Sequence, residues 1–320
     1  MSYQTTVREV YRDAALKPAD NLCCVPQAPR YLPGLSIPEI MHEMNYGCGS
    51  TVHLQDMRAD QTMLYVGVGG GLEVLELAYF ARRPGAVIGV EPVKEMRDVA
   101  RANLELAAKT NDWFDPSFVD IRDGDALSLP IDDNTVHFAA QNCLFNIFQE
   151  EDLAIALREM HRVLSRQGRL VMSVPITPRP IPDHLRDDER LRAQCISGCL
   201  SMSDYLDAIV NIGFGAIEVR SRRPYRLLDA KQFNLDEDLL LETVEVAAVK
   251  TPMPDDGPCI FTGKYAIYGG EEESYDDGVG HLLMRNLPHG ICDKTAKAME
   301  SHPEIAVTES TWHYQGGGCC

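Results

Sequence analysis

The chain has 320 residues, of which 45% are hydrophobic, and its 30 Lys and Arg against 48 Asp and Glu give a formal net charge of -18. This length allows two domains with a packed core, and the negative charge argues against nucleic-acid and membrane-surface partners because both are anionic. Residues 1–20 lack the apolar core of a signal peptide and no apolar run is long enough to span a membrane, so we predict a cytoplasmic protein.

Between residues 62 and 174, short apolar runs alternate with amphipathic segments of helix length. The predicted strands cover residues 63–66, 86–90, 117–122, 136–141 and 169–174, and the predicted helices cover residues 72–82, 93–109 and 150–164. Strands separated by helices in this way indicate parallel βαβ units in a doubly wound sheet. Two further strand-like segments, 216–220 and 244–249, complete a Rossmann-like α/β sheet of seven strands.

Two proline-rich segments divide the rest of the chain. Residues 177–182 cannot continue a central strand because proline lacks a backbone N–H, so we predict a lid over residues 177–200, with helical patterns at 183–194 and 202–212. Residues 251–258 form a turn-rich boundary. The predicted organisation is a cysteine-bearing N-terminal cap at 1–60 with no sustained period, a core at 61–250, and a small α+β module at 251–320 that ends in a Gly-Cys tail.

A glycine-rich turn follows the first predicted strand and precedes a helix. Gly67, Gly69 and Gly71 form a G-x-G-x-G pattern, and such glycines let the backbone approach a ligand closely. In a dinucleotide-binding motif a third glycine would fall at residue 72, which is Leu72 here. The spacing therefore favours S-adenosylmethionine and disfavours NAD.

Two acidic residues follow the next two predicted strands, at the same edge of the sheet. Glu91 lies 20 residues after Gly71, where its carboxylate can accept hydrogen bonds from ribose hydroxyls, although a solvated strand end is the alternative. Asp125, followed by Ala126, is placed to bind the adenine amino group and is equally a turn residue.

The glycine turn, the two acids and residues 159–170 together resemble the class I S-adenosylmethionine-dependent methyltransferases. The resemblance implies cofactor binding by one set of residues: Gly67, Gly69, Gly71, Glu91, Asp125, Ala126 and Asn142. One position departs from the pattern, because the family usually has Asp two residues before the first glycine and this chain has Tyr65. A phenol does not supply that acid's charge, which affects the expected contacts to the methionine part of the cofactor.

Three cysteines stand where an acceptor for the methyl group is expected. Cys143 follows the fourth predicted strand, Cys195 follows the proline-rich segment, and Cys48 lies between two glycines that suggest a flexible or sharply turned backbone. Thiolates prefer soft centres, so converging cysteines would hold a trivalent metalloid whose lone pair remains free as the nucleophile.

Residues 22–24, 46–49, 142–146 and 195–198 match, in order and approximate spacing, segments of the arsenite S-adenosylmethionine methyltransferases, which the chain therefore resembles. Residues 261–265 and 292–296 resemble that family's terminal module, and residues 316–320 resemble its bacterial arsenosugar-biosynthesis branch. The resemblance implies that Cys143 and Cys195 bind trivalent arsenic. Cys48 and either Cys23 or Cys24 would supply a third ligand or form a disulfide that relays electrons.

The same resemblance implies arsenic detoxification, with an arsenical as the small-molecule substrate, S-adenosylmethionine as methyl donor, and glutathione or thioredoxin as reductant. Two alternatives stay open: a methyltransferase acting on carbon or oxygen, with structural cysteines, and a protein that sequesters arsenic without turnover. Core packing is favoured for Cys199 over a ligand role, and Cys259 and Cys292 are taken as structural. Cys319 and Cys320 either hand over a soft ion or form a tail without a catalytic role. The preferred arsenical, the number of methyl groups and the oligomeric state are left open.

Overall fold

A computed structural model describes residues 2–19, 22, 31–58 and 60–311 of the chain. The predicted thiols Cys23, Cys24, Cys319 and Cys320 lie outside the described residues. No helix within these ranges is long and apolar enough to cross a membrane.

A large sheet forms the centre of the molecule. Its strands are β1 (Met63–Val66), β2 (Val87–Glu91), β3 (Val119–Asp123), β4 (Val136–Asn142), β5 (Leu164–Ile176), β6 (Ala216–Leu228), β7 (Leu239–Val249) and β8 (Cys259–Phe261). They are hydrogen-bonded in the order β3-β2-β1-β4-β5-β7-β6-β8. The reversal of strand order at β1 and β4 creates the crevice in which doubly wound sheets bind ligands.

The sheet differs from the prediction in two respects. Strand β7 runs antiparallel to both β5 and β6, because β6 and β7 are joined by a short connection rather than by the crossover helix that parallel strands need. All seven predicted strands are present, and β8 adds an eighth by pairing in parallel with β6. This strand has three residues, too few for a periodic pattern, and it lies beyond the turn-rich segment where we placed the start of the C-terminal module.

Helices cover both faces of this sheet. The helices of the described residues are α1 (Tyr3–Leu16), α2 (Glu39–Glu43), α3 (Leu72–Ala81), α4 (Lys94–Ala108), α5 (Glu150–Val163), α6 (Asp183–Arg186), α7 (Glu189–Ala193), α8 (Met202–Ile212) and, in the C-terminal region, α9 (Asp293–Met299). Apolar side chains of α3 and α4 share one buried cluster with Met63 and Tyr65. Those of α5 and α8 share another with Leu64 and Val66. The side chains of alternate residues of β1 thus pack on opposite faces of the sheet, as strand geometry requires.

Two helical predictions are corrected by the structure. Residues 1–60 show no sustained period over their length, yet they contain α1, in which Tyr3, Val7 and Ala14 are buried at helical spacing. The helix predicted over residues 183–194 is two short helices. The side chain of Asp188 accepts hydrogen bonds from Arg190 N and Leu191 N, so it caps a new helix and ends the earlier one.

The C-terminal region has a small core of its own. Its strands are β9 (Lys264–Tyr268), β10 (Ser274–Asp276), β11 (Leu282–Met284), β12 (Pro288–Ile291) and β13 (Ile305–Val307). Strands β12, β9 and β13 form an antiparallel sheet, and β10 pairs with β11. Side chains from this sheet pack against Ala296 and Met299 of α9.

Candidate active site

An open cleft lies at the carboxyl ends of β1, β2 and β4, and the N-terminal half of α1 forms one wall. Most residues predicted to bind the cofactor line it: Gly67, Gly69, Glu91, Asp125, Ala126 and Asn142. Gly71 is instead the N-cap of α3, with a φ of 92°. Cys143 lines the same cleft.

The glycine turn depends on glycine at particular positions. Gly67, Gly69 and Gly71 have φ values of 80°, 54° and 92°, in the left-handed region that side chains with a Cβ rarely adopt. A Cβ on Gly70 would lie 2.7 Å from the Cβ of Met44. The turn therefore brings bare backbone to the wall of the cleft, as a bound nucleoside requires.

Glu91 is buried at the end of β2, and its Oε1 accepts a hydrogen bond from Val93 N at 3.0 Å. Burial raises the pKa of this carboxyl to about 7. Its place in the cleft suits a group that accepts hydrogen bonds from a polar ligand.

Asp125 carries out the turn role that we considered and a second one that we did not predict. Its Oδ1 accepts a hydrogen bond from Leu127 N at 2.9 Å. Its Oδ2 accepts one from Arg8 Nη2 at 2.7 Å, so an ion pair links α1 to the edge of the sheet. The N-terminal helix is thereby held across the cleft.

A buried carboxylate that we did not predict lies beside Tyr65. Glu73, in the first turn of α3, lines the cleft and interacts with the buried Tyr65 side chain. Asn142 Nδ2 donates to Glu73 Oε1 at 3.2 Å. Burial raises the pKa of Glu73, while the hydrogen bonds from Asn142 and Tyr65 oppose that shift. The signal in the sequence was an acid two residues after the last glycine of the turn.

Asn142 fixes the loop that carries Cys48. Its Oδ1 accepts hydrogen bonds from Cys48 N at 2.8 Å and Gly49 N at 3.2 Å, and its Nδ2 donates to Gly49 O at 2.8 Å. A Cβ on Gly47 would lie 2.1 Å from Asn142 Nδ2, and one on Gly49 would lie 2.1 Å from Ser173 Oγ. The two glycines thus permit close packing, and the backbone bends at Cys48 and Gly49, which agrees with the sharply turned backbone that we expected as one possibility.

Cys143 and Cys195 are in contact, as the predicted arsenic site requires. The Cys195 thiol donates a hydrogen bond to Cys143 O at 2.7 Å, and both side chains are buried. Their φ values are 64° and 59°, a conformation that costs a residue other than glycine about 1–3 kcal/mol and that concentrates at functional sites. A Cβ on Gly198 would lie 2.0 Å from Asn146 O, so this glycine lets the Cys195 loop reach the segment after β4.

Cys48 belongs to the same buried cluster as Cys143 and Cys195. Cys199 lies beside them, because its thiol donates to Cys195 O at 3.2 Å, and it also packs against Ile196 in an apolar cluster. Within the described ranges, no three His, Cys, Asp or Glu are arranged to hold a metal ion. Arsenic binding by the three thiols stays a prediction.

Cys259 and Cys292, which we took as structural, are both partly exposed. Their thiols interact with each other, and burial is the main cause of a raised pKa at Cys259. The sequence carries no signal for this pairing, because 32 residues separate the two cysteines.

The strand order, the glycine turn and the cleft define the fold of the class I S-adenosylmethionine-dependent methyltransferases. Residues 64–172 match the family described as "Methyltransferase domain". The chain thus carries the fold and the domain of an S-adenosylmethionine-dependent methyltransferase.

The chain is also similar to proteins with a more specific description. The chain is 29% identical over 177 residues to the arsenite methyltransferase of Halobacterium salinarum, covering 55% of this chain and 43% of that protein. It is 29% identical over 185 residues to the arsenite methyltransferase of Aquipseudomonas alcaligenes, covering 58% of this chain and 52% of that protein. The chain spans about half the length of these curated relatives.

A solved structure shares the fold over most of the chain. The crystal structure of CrArsM, an arsenic(III) S-adenosylmethionine methyltransferase from Chlamydomonas reinhardtii, is 20% identical and aligns with a TM-score of 0.61, covering 90% of this chain and 99% of that one. The predicted resemblance to arsenite methyltransferases is confirmed. The narrower resemblance to the arsenosugar branch stays a prediction.

Proposed function

We propose that this protein transfers the methyl group of S-adenosylmethionine to trivalent arsenic held by cysteine thiolates. One observation carries the proposal: Cys143 lines the cleft and also contacts Cys195. A soft ion bound by these two thiols would lie at the wall of the methyl-donor site. The similarity to arsenite methyltransferases supports the same substrate class.

The residues of the cleft fit the methyl donor. The glycine turn offers bare backbone to the nucleoside, and Glu91 offers a buried acceptor for ribose hydroxyls. Glu73 supplies a carboxylate for the ammonium of the methionine part, in place of the acid that Tyr65 replaces. When bound, S-adenosylmethionine supplies a methyl group on an electrophilic sulfonium.

The thiols bind the arsenic and leave its lone pair available for reaction. Two thiol groups displace two hydroxyl groups of arsenous acid and release two waters, which leaves the arsenic lone pair free. The burial of Cys143 and Cys195 removes water from this centre, so that the lone pair is less solvated and is held in one place for displacement at the methyl carbon. A carbon–arsenic bond forms, the carbon–sulfur bond breaks, and the electron pair of that bond stays on the departing thioether.

Methylation of trivalent arsenic leaves it pentavalent, so a second round needs two electrons. We include in the proposal a thiol reductant, glutathione or thioredoxin, which becomes a disulfide as arsenic returns to the trivalent state. Cys48, in the same buried cluster as Cys143 and hydrogen-bonded to the neighbouring Asn142, is the candidate to take part in this step or to act as third ligand. A reducing cytoplasm, which keeps thiols free, is the proposed location.

The test is anaerobic incubation of the reduced protein with S-adenosylmethionine, arsenite and a thiol, followed by separation and mass spectrometry of the arsenic species. The proposal predicts methylated arsenic together with stoichiometric S-adenosylhomocysteine, and loss of both in Cys143→Ser and in Cys195→Ser. Cys292→Ser is the matched control and should retain turnover, because Cys292 lies at the start of α9 in the C-terminal region.

Other outcomes separate the alternatives. If the protein methylates a carbon or oxygen acceptor and this turnover persists after its thiols are blocked, it is a carbon or oxygen methyltransferase. Tight arsenite binding without S-adenosylhomocysteine would identify a sequestering protein.

A further inference from the structure

Tyr205, on α8, is fully buried, and its hydroxyl has no hydrogen-bond partner among the residues that the structure describes. A buried hydroxyl that gives up water without gaining a partner is unfavourable, and phenylalanine would fill the same space without that cost. The position therefore calls for an explanation that apolar packing does not supply.

Tyr205 belongs to the buried cluster that also contains the thiols of the proposed arsenic site. Its side chain packs in one buried cluster with Cys48, Cys143 and Cys195. Burial, followed by the electrostatic influence of these thiols and of Cys199, holds the pKa of the phenol well above its usual range. At neutral pH the group is a hydroxyl that can donate one hydrogen bond.

A second polar atom, on a side chain that contacts Cys199, also has no partner in the described part of the chain. Asn146 Nδ2 donates to Cys199 Sγ at 3.4 Å and to Pro175 O at 2.8 Å. Asn146 Oδ1 is buried and accepts no hydrogen bond from the described residues. A donor and an acceptor are therefore both left unsatisfied around the thiols, which is the arrangement expected where a polar ligand is meant to bind.

We propose that the Tyr205 hydroxyl binds the substrate by donating a hydrogen bond to the oxygen at the third ligand position of trivalent arsenic, when Cys143 and Cys195 occupy the other two. This inference rests on the proposed function. Arsenite bound by two thiols keeps one hydroxyl group, whose oxygen has lone pairs to accept the bond. Methylarsonite bound in the same way presents a methyl group there, which accepts none. Tyr205 is thus a residue that favours the first methyl acceptor over its product.

The test compares Tyr205→Phe with the wild-type protein in anaerobic binding of arsenite and of methylarsonite, measured by calorimetry with one equivalent of arsenical per chain. The expected result is a loss of arsenite affinity of about 3- to 10-fold, as one hydrogen bond provides, with methylarsonite affinity changed by less than about twofold. Thermal unfolding of the ligand-free variant should occur at the same temperature or higher, since the removed hydroxyl has no partner in the described residues.

Tyr268→Phe is the matched control, because Tyr268 is buried in the core of the C-terminal region and should change neither affinity. A variant that loses stability and weakens both arsenicals equally would show a structural role for Tyr205 and overturn the inference. Unchanged arsenite affinity would overturn it while leaving the proposed function intact. A wild-type protein that binds neither arsenical would refute the proposed function and this inference with it.

Discussion

The backbone N–H of Cys48 donates a hydrogen bond to Asn142 Oδ1 at 2.8 Å, across 94 residues of sequence. Asn142 is the last residue of β4 and immediately precedes Cys143. One amide side chain therefore joins the loop of Cys48 to the strand that carries Cys143 to the cleft. Asn142 also lines the cleft, so the proposed thiol site and the proposed methyl-donor site share a residue.

Replacement of that amide should affect both stability and chemistry. In Asn142→Ala the N–H groups of Cys48 and Gly49 lose their acceptor, so we expect a loss of about 1–3 kcal/mol in the free energy of unfolding. We expect arsenic methylation to fall at least about tenfold, because Cys48 is no longer fixed beside Cys143. Urea unfolding and product analysis measure the two effects. Asn211→Ala, an exposed position on α8, should change neither.

The left-handed backbone at Cys195 predicts an unusual response to glycine. At most buried sites an Ala-to-Gly change costs stability, through backbone entropy and a lost methyl group. At Cys195, with a φ of 59°, glycine also relieves the conformational cost of a Cβ. Cys48 has no positive φ, so it serves as the reference site. At Cys48 we compare the free energies of unfolding of the Ala and Gly variants, and at Cys195 we make the same comparison. The difference at Cys195 should be smaller by about 1–2 kcal/mol. Equal differences in urea unfolding at the two sites would count against this account.

The raised pKa of Glu91 predicts that the stability of the protein depends on pH. Its pKa in the folded protein is about 7, against 4.5 for an ordinary glutamate, so between these values the folded protein holds a proton that the unfolded chain releases. The contribution to stability is complete below pH 4.5 and is lost as the pH rises to about 7. Glu91→Gln should show a shallower decline over this window, measured by urea unfolding from about pH 5 to about pH 8.

The control is Glu105→Gln, an exposed position on α4, which should keep the wild-type slope. Affinity for S-adenosylmethionine should also increase through about pH 7 in the wild-type protein, because the ionised carboxylate is the better acceptor for ribose hydroxyls. In Glu91→Gln this increase should be smaller, with Glu73 as the remaining buried carboxyl of the cleft. Identical pH profiles in the variant and the wild type would contradict the assigned role.

Replacement of Glu73 should weaken the binding of the methyl donor specifically. Glu73→Gln removes the charge that we assign to the methionine ammonium, so we expect S-adenosylmethionine to bind about tenfold more weakly, as a charge-assisted hydrogen bond provides. The affinity for sinefungin, which keeps the ammonium, should fall by a similar factor. The affinity for adenosine, which lacks the ammonium, should not change. Calorimetry checks the three ligands. An equal loss for adenosine would instead indicate that the substitution disturbs the cleft as a whole.

Local features of the sequence placed Cys143 after a buried strand and Cys195 after a proline-rich segment, and the resemblance to arsenite methyltransferases implied that these two thiols bind arsenic together. The sequence did not predict Glu73, since an acid in the first turn of a helix is already accounted for by the helix dipole. Nor did it predict the ion pair of Arg8 with Asp125, because the two residues are 117 positions apart. Contacts of this range depend on the topology of the fold and leave no pattern in the chain.

Tyr205 illustrates the same limit in another way. Its place on the apolar face of α8 is that of an ordinary core residue, and only the burial of its hydroxyl among the thiols distinguishes it. The strand β8 was missed for a simpler reason, because a segment of three residues carries no period.

The most direct test of the central claim is X-ray absorption spectroscopy of the reduced protein with one equivalent of arsenite, which counts the sulfur atoms bound to arsenic. The account predicts at least two sulfur ligands, retained in the Cys259→Ser, Cys292→Ser double variant and lost in the Cys143→Ser, Cys195→Ser double variant. Arsenic that keeps its sulfur ligands after both Cys143 and Cys195 are replaced would contradict the account.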